Sequence, residues 1–283
     1  MNRKAFLKKL FQLSIAGTVP FLYSWQVEPF WLEFVERKLP IKNLPKNLEG
    51  KILMQISDLH VGARFDWNFI IDSFQKAKKF NPDFVVYTGD FVNHGGAAET
   101  EDLKKVMKHV VLGSLATFGI LGNHDYGKDW QDLQSSENIC NILEGFGITM
   151  LNNAQQQSNG LNFIGFEDFW SPNFAPQKVM KDYDPSKANI ILCHNPDVCD
   201  QNIWNGYQGW ILSGHTHGGQ CRIPRVITPL LPVKNRKYIS GEIDLEDGRM
   251  LYINRALGHS FQVRFMVRPE ITVFKLVSDE RKV

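Results

Sequence analysis

The stretch Thr117-Phe118-Gly119-Ile120-Leu121-Gly122-Asn123-His124-Asp125 governs how the rest of the chain is read. It opens as a short apolar run, the pattern of a buried strand. A glycine ends the run. Three side chains able to hold a metal or move a proton follow: Asn123 offers a carbonyl oxygen, His124 an imidazole and Asp125 a carboxylate. Polar groups of this kind at the end of a strand mark a site rather than a core.

Four more stretches repeat the pattern. Residues 52–57 lead into Asp58-Leu59-His60, and residues 84–88 into Gly89-Asp90. Residues 189–193 lead into His194, and residues 209–213 into Gly214-His215-Thr216-His217. Sites in α/β folds lie at the carboxyl ends of strands, and five such endings in one chain point to a single site. In an extended backbone, residues two apart face the same way. Asp58 and His60 are therefore expected to share one metal-facing side, as are His215 and His217. The pooled set of Asp58, His60, Asp90, Asn123, His194, His215 and His217 holds four imidazoles, two carboxylates and an amide oxygen, with no thiolate. That mixture suits two borderline divalent ions, manganese foremost, then iron or zinc, better than calcium or magnesium.

D-x-H, G-D, G-N-H-D, a strand-end H and G-H-T-H, in this order, resemble the calcineurin-like metallophosphoesterase superfamily. The likeness runs from about Lys51 to about Ile271. It implies that Asp58, His60 and His217 hold one metal and Asn123, His194 and His215 the other, with Asp90 bridging. It further implies that His124, oriented by Asp125, contacts the substrate and serves as the acid.

The layout agrees with an α/β fold. Strand-like and helix-like patterns alternate from Lys51 to residue 121, and helical spacing over 67–74 and 99–111 separates strands 52–57, 84–88 and 117–121. A third helix is expected to close over 138–146. Strands then crowd together at 148–151, 161–166, 189–193, 209–213, 237–245, 249–254 and 271–276. The resemblance implies a two-sheet β-sandwich flanked by helices. No repeat or low-complexity segment divides it, so residues 49–283 are expected to form one catalytic domain.

The amino terminus has a different character. Arg3, Lys4, Lys8 and Lys9 give four positive charges in the first nine residues. The chain's net charge is +2, so the remainder is at −2, with no basic stripe for nucleic acid. An uncharged run follows from Leu10 to Tyr23. Residues 1–24 therefore read as a signal or anchor segment at a bacterial inner membrane. Asn2 to Lys8 resembles the twin-arginine export signal, with Lys4 in the second arginine's place. Export would put the enzyme outside, whereas an interfacial anchor would leave it inside. Residues 25–48, broken by Pro29, Pro40 and Pro45, are expected to form a linker.

Beyond the metal-type motifs, Gly218-Gly219-Gln220, 253–258 and 264–271 resemble a membrane-associated bacterial branch of the superfamily. That branch includes exported phosphodiesterases and a UDP-2,3-diacylglucosamine pyrophosphatase. A phosphate-bearing, lipid-linked small molecule is the substrate this implies. A soluble-substrate phosphodiesterase or protein phosphatase is the alternative, and a non-catalytic binding module a third. Arg64 is the leading phosphate contact, with Arg222, Arg255 and Arg264 behind it, because guanidinium forks match phosphate oxygens. Trp170, Phe169, Phe174 and Trp204 are candidate walls for an apolar groove. His94 and His109 read as surface residues, and His259 as loop or rim. Cys140, Cys193, Cys199 and Cys221 lack a metal-binding spacing and read as free thiols.

Overall fold

Alternating side chains along almost every central strand are apolar, and the computed structural model shows why: both faces of both sheets are covered. The structure describes residues 18–62, 66–223 and 231–279. One six-stranded sheet contains β1 (Glu33–Ile41), β2 (Ile52–Ile56), β3 (Phe84–Thr88), β4 (Ala116–Ile120), β5 (Thr149–Met150) and β12 (Glu270–Ser278). The other contains β6 (Ala154–Ser158), β7 (Leu161–Gly165), β8 (Ala188–Leu192), β9 (Gly209–Ser213), β10 (Gly241–Asp244) and β11 (Arg249–Ile253). Their orders are β1-β12-β2-β3-β4-β5 and β10-β11-β9-β8-β7-β6. Leu53, Val86, Phe118, Phe163, Ile190 and Leu212 fill the space between the sheets. Their neighbours Met54 and Val85 face helices α1 (Asn68–Ala77), α2 (Ala97–Met107) and α3 (Leu133–Gly145). Ile164, Ile191 and Ile211 face the opposite outer layer, with Val198, Trp204 and Tyr207.

The expected two-sheet sandwich is therefore present, with differences at its edges. Glu33–Ile41 lies within the stretch expected to be a linker, yet it forms β1, parallel to β12 over nine registered pairs. Its Leu39 and Ile41 enter the core between the sheets. Pro40 is tolerated because β1 is an edge strand with one neighbour. Strand β6 has no apolar signature, because an edge strand can leave its three glutamines half in water. The strand expected over 237–245 shrinks to β10. All four cysteines are free.

The parallel strands position the site. β2, β3 and β4 run parallel in one sheet, and β7, β8 and β9 in the other. Their carboxyl ends meet at one edge of the sandwich. Gln55 ties the sheets together just below that edge, donating to Thr88 Oγ1 at 3.1 Å and to the Ser213 carbonyl at 2.9 Å.

Candidate metal centre

The seven expected ligands converge. Ligand atoms of Asp58, His60, Asp90 and His217 lie within 4.8 Å of one another, as do those of Asp90, His194 and His215. Asp90 belongs to both groups, and Asn123 lines the same cleft. The backbone achieves this differently from the extended-chain expectation. Asp58, His60, Asp90, His215 and His217 all have φ between 47° and 70°, the left-handed region. Strained residues of this kind persist only where surrounding structure over-determines them. Here it does: Asp58 N donates to the Gly89 carbonyl at 2.9 Å, and His60 N to the Asp90 carbonyl at 3.0 Å. His215 N donates to Asp58 Oδ1 at 3.0 Å, and His124 N to Asp90 Oδ1 at 2.9 Å. Two glycines make these approaches possible. A Cβ on Gly122 would land on Asp90 Oδ1, and one on Gly214 would land on Ser57 Oγ and Asp58 Oδ2.

Each imidazole is held by its outer nitrogen. His60 Nδ1 donates to Asn93 Oδ1 at 3.2 Å, and His217 Nδ1 to Gln220 Oε1 at 2.9 Å. His194 Nδ1 donates to the Thr88 carbonyl at 2.7 Å, and His215 Nε2 to the Pro232 carbonyl at 2.9 Å. Such outer bonds fix the tautomer that leaves the inner nitrogen a lone pair. The inner Nε2 atoms of His60 and His217 then face each other at 2.9 Å. Two lone pairs at that separation call for a cation. Asn123 Oδ1, buried without a hydrogen-bond partner, calls for the same. The residues fit divalent metals.

The charges agree. Burial opposes ionisation of Asp90, but His194, His124 and His60 outweigh it and hold the carboxyl well below its usual range. Burial pushes His60 far down, and burial with His194 takes His215 down to about 3. Anionic carboxylates and neutral imidazoles are the protonation states that ligate metals; His194 differs, since Asp90, 3.2 Å from its Nε2, outweighs burial and holds it well above its usual value, so a metal there would displace that proton.

Asp125 does not play the expected part. Its Oδ1 accepts from the backbone of Phe91 and Val92, at 2.8 and 3.2 Å, and its Oδ2 from Gly122 at 2.9 Å. It braces the loops that carry Asp90 and Asn123. The His124 ring is oriented by the Asn93 carbonyl, to which Nδ1 donates at 2.7 Å. Asn93 thus holds two histidines, and only its place three residues after Asp90 could have flagged it. Gln220, three residues after His217, carried a similar local signal.

The arginines part ways as well. Arg64 lies outside the described residues. Arg255 pairs with Glu270 and with Glu33 (2.9 Å). Arg222 bonds the Gly218 carbonyl and Ser240. Arg264 is fully buried and donates to the carbonyls of Arg255, Val267, Ala256 and Gly258 at 2.7–3.3 Å. These three guanidiniums are committed to structure. His259 is fully buried behind the ligands, and burial together with Arg264, His217 and His60 pushes it down to about 2.

A cleft of about 270 Å³ opens over Asp90, Asn123, His124, His215 and His217. Its other walls are mainly apolar: Trp130, Trp170, Leu231, Pro232 and Phe261. Trp130 stacks on Trp170 with ring centroids 4.8 Å apart, and Trp170 meets the His215 ring edge-on at 4.8 Å. Of the four expected walls, Trp170 lines the cleft, whereas Phe169, Phe174 and Trp204 pack against the outer core.

Paired sheets that deliver an Asp/His cluster to one edge define a metal-dependent phosphoesterase. The chain belongs to the calcineurin-like phosphoesterase family, whose sequence profile matches residues 52–219. It is 30% identical to UDP-2,3-diacylglucosamine pyrophosphatase LpxG of Chlamydia trachomatis, over 82% of this chain and 86% of that one. It is 28% identical to phosphodiesterase YaeI of Escherichia coli, over 98% of this chain and 100% of that one. It is 26% identical to the uncharacterized metallophosphoesterase YkuE of Bacillus subtilis, over 98% of both.

Proposed function

We propose that the enzyme hydrolyses a phosphoanhydride or phosphodiester that joins a lipid to a small polar group. UDP-2,3-diacylglucosamine is the first candidate, with lipid X and UMP as products. The observation that carries this reading is the apolar wall of Trp130, Trp170, Leu231 and Phe261, set directly beside the metal-type ligands. A phosphate ester with no apolar portion would gain nothing from that wall. The similarity to a pyrophosphatase named for this substrate supports it.

In this reading Asp58, His60 and His217 hold one divalent ion, and Asn123, His194 and His215 the other, with Asp90 shared and manganese the first choice. Bound divalent ions supply Lewis-acid charge at phosphoryl oxygens and make water nucleophilic at neutral pH. The chain's own groups do the rest. His124 borders the cleft with Nδ1 fixed on the Asn93 carbonyl, so its Nε2 is the nitrogen that can give a proton to the leaving oxygen. The indole pair excludes water from one side of the reacting phosphorus. Arg64 contacts phosphate. Residues 1–24 attach the catalytic domain, which runs from β1 to β12, to the membrane; among the described residues no helix is long and apolar enough to cross one.

A phosphodiesterase acting on a soluble substrate is the second reading, favoured by the nearly full-length match to YaeI. The test supplies purified enzyme and Mn²⁺ with the diacylated nucleotide and with its deacylated form. The proposal expects kcat/KM to favour the diacylated compound by at least about tenfold, the equivalent of burying roughly two methylenes. Turnover of a simple aryl diester with neither nucleotide cleaved would favour the second reading.

A further inference from the structure

Many of the large apolar side chains left exposed among the described residues collect in one region. Six fall within residues 19–31, among them Phe21, Trp25 and Trp31. Three more, Ile223, Phe261 and Met266, lie on the two loops beside that segment. Hydrogen bonds make these pieces one body. Arg264 N donates to the Ser24 carbonyl at 2.9 Å, and Gln262 Nε2 to the Trp25 carbonyl at 2.9 Å. Met266 N donates to Glu28 Oε2 at 2.8 Å, and the Tyr23 ring meets Phe265 edge-on. Arg222 N donates to the Phe265 carbonyl at 2.8 Å, which brings Ile223 alongside.

The exposure is unusual for water. No charged residue occurs from Leu10 to Val27, although residues 18–22 are helical and exposed and Trp25 is 42% exposed. Met266 and Phe261 are 56% and 52% exposed. An uncharged, aromatic-bearing helical face rarely stands alone in solution. Phe261 also belongs to the cleft wall, so the patch reaches the mouth of the site. The chain carries Arg3, Lys4, Lys8 and Lys9 just before this segment, and Arg268 sits over the Trp31 ring at 3.7 Å. Apolar side chains with Arg268 among them, and a basic stretch close by in sequence, fit an anionic lipid surface.

We infer that residues 18–31 and the loop 260–267 form a joint docking face for an anionic bilayer, with the cleft opening at its edge. The inference deepens the lipid-linked reading above and rests on it. At about 270 Å³ the cleft lies below the range of roughly 300–1,000 Å³ usual for small-molecule sites, so it is too small to enclose two acyl chains. The cleft wall therefore meets only the start of the acyl chains, and the rest of each chain stays in the bilayer while the phosphate enters from its surface. The loop is a second contact, distinct from attachment by the amino-terminal segment alone.

The experiment needs no substrate, so its failure is separable from failure of the substrate assignment. Full-length protein is titrated with vesicles of phosphatidylethanolamine and phosphatidylglycerol, and amide exchange is followed. Vesicles should slow exchange across 260–267. The double variant Trp25→Ser/Met266→Ser should partition at least about tenfold more weakly, since two large apolar side chains lose their burial in the bilayer. It should still cleave a water-soluble aryl diester at the parent rate. Unchanged exchange at 260–267 would overturn the inference, as would unchanged partition of the double variant. If the double variant fails to fold, exchange in the parent protein decides alone.

Discussion

Removing the Asn93 side chain separates two jobs that one residue performs. Its amide oxygen accepts from His60 Nδ1 at 3.2 Å, and its Nδ2 donates back to the His60 carbonyl at 3.2 Å. Its own backbone carbonyl orients His124. Asn93→Ala deletes the first two bonds and leaves the third. His60 is fully buried, so its Nδ1 would then have no acceptor, and the ring would lose the bond that fixes its tautomer. Losing such an outer partner typically costs 10–100-fold in metal affinity, roughly 1.4–2.7 kcal/mol. The half-saturating Mn²⁺ concentration should rise by about that factor. At saturating metal, kcat should return to within about threefold of the parent, because His124 keeps its support and general-acid power resides there. Asn93→Asp restores an acceptor and should recover most of the affinity. Metal titrations of activity, with calorimetry as a second readout, measure both quantities. Unchanged metal affinity in Asn93→Ala would refute this account of the centre. So would a loss of kcat at saturating metal as large as that of His124→Ala.

The remaining expectations concern the ligands, the acid and the loop. His124→Ala should keep its metals and lose roughly 10²–10⁴-fold in rate, with the smallest loss for a nitrophenyl leaving group; metal analysis beside a leaving-group series checks this. Asp90→Asn should lose both activity and most bound metal, because both ligand groups share that carboxylate; metal content per chain, close to two in the parent, is the measurement. Arg264→Met should lower unfolding free energy by at least about 3 kcal/mol, since four carbonyls lose the guanidinium donor and, of them, Ala256 keeps another from Glu270 N; urea midpoints at equal m-values report it.

Much of the site was legible because it is written locally. Each ligand follows directly on a strand with a run of apolar side chains, and parallel strands deliver their ends to one edge. Spacing pairs His60 with Asp58, and the family resemblance adds His217, which lies in the same cluster. What holds them could not be read that way. The Asn93 carbonyl that orients His124 is backbone and has no residue signature. Asp125 sits beside His124 in sequence but turns its carboxylate to three backbone N–H groups. Left-handed φ at five ligands is likewise invisible, since histidine and aspartate seldom announce it as glycine does. Edge strands were the weak point of the fold. β1 carries charges and Pro40, and β6 carries three glutamines, because one side of each faces water. Trp130, in a polar loop, gave no sign that it would complete a wall with Trp170.

The pairing of β1 with β12 also sets an order of events during synthesis. Among the described residues β1 is the first strand to leave the ribosome, and its one sheet neighbour, β12, comes after all the others. Some 230 residues separate them, tens of seconds of translation at ordinary rates of roughly 5–20 residues per second. β2 waits nearly as long for β12 along its outer edge. During that interval a growing chain presents an open sheet edge, the kind that recruits strands from other molecules. Protection against misassembly is thus deferred until the nine residues of β12 are made. A nascent chain truncated before Glu270 would carry every metal-type ligand and still lack the strand that seals its first sheet.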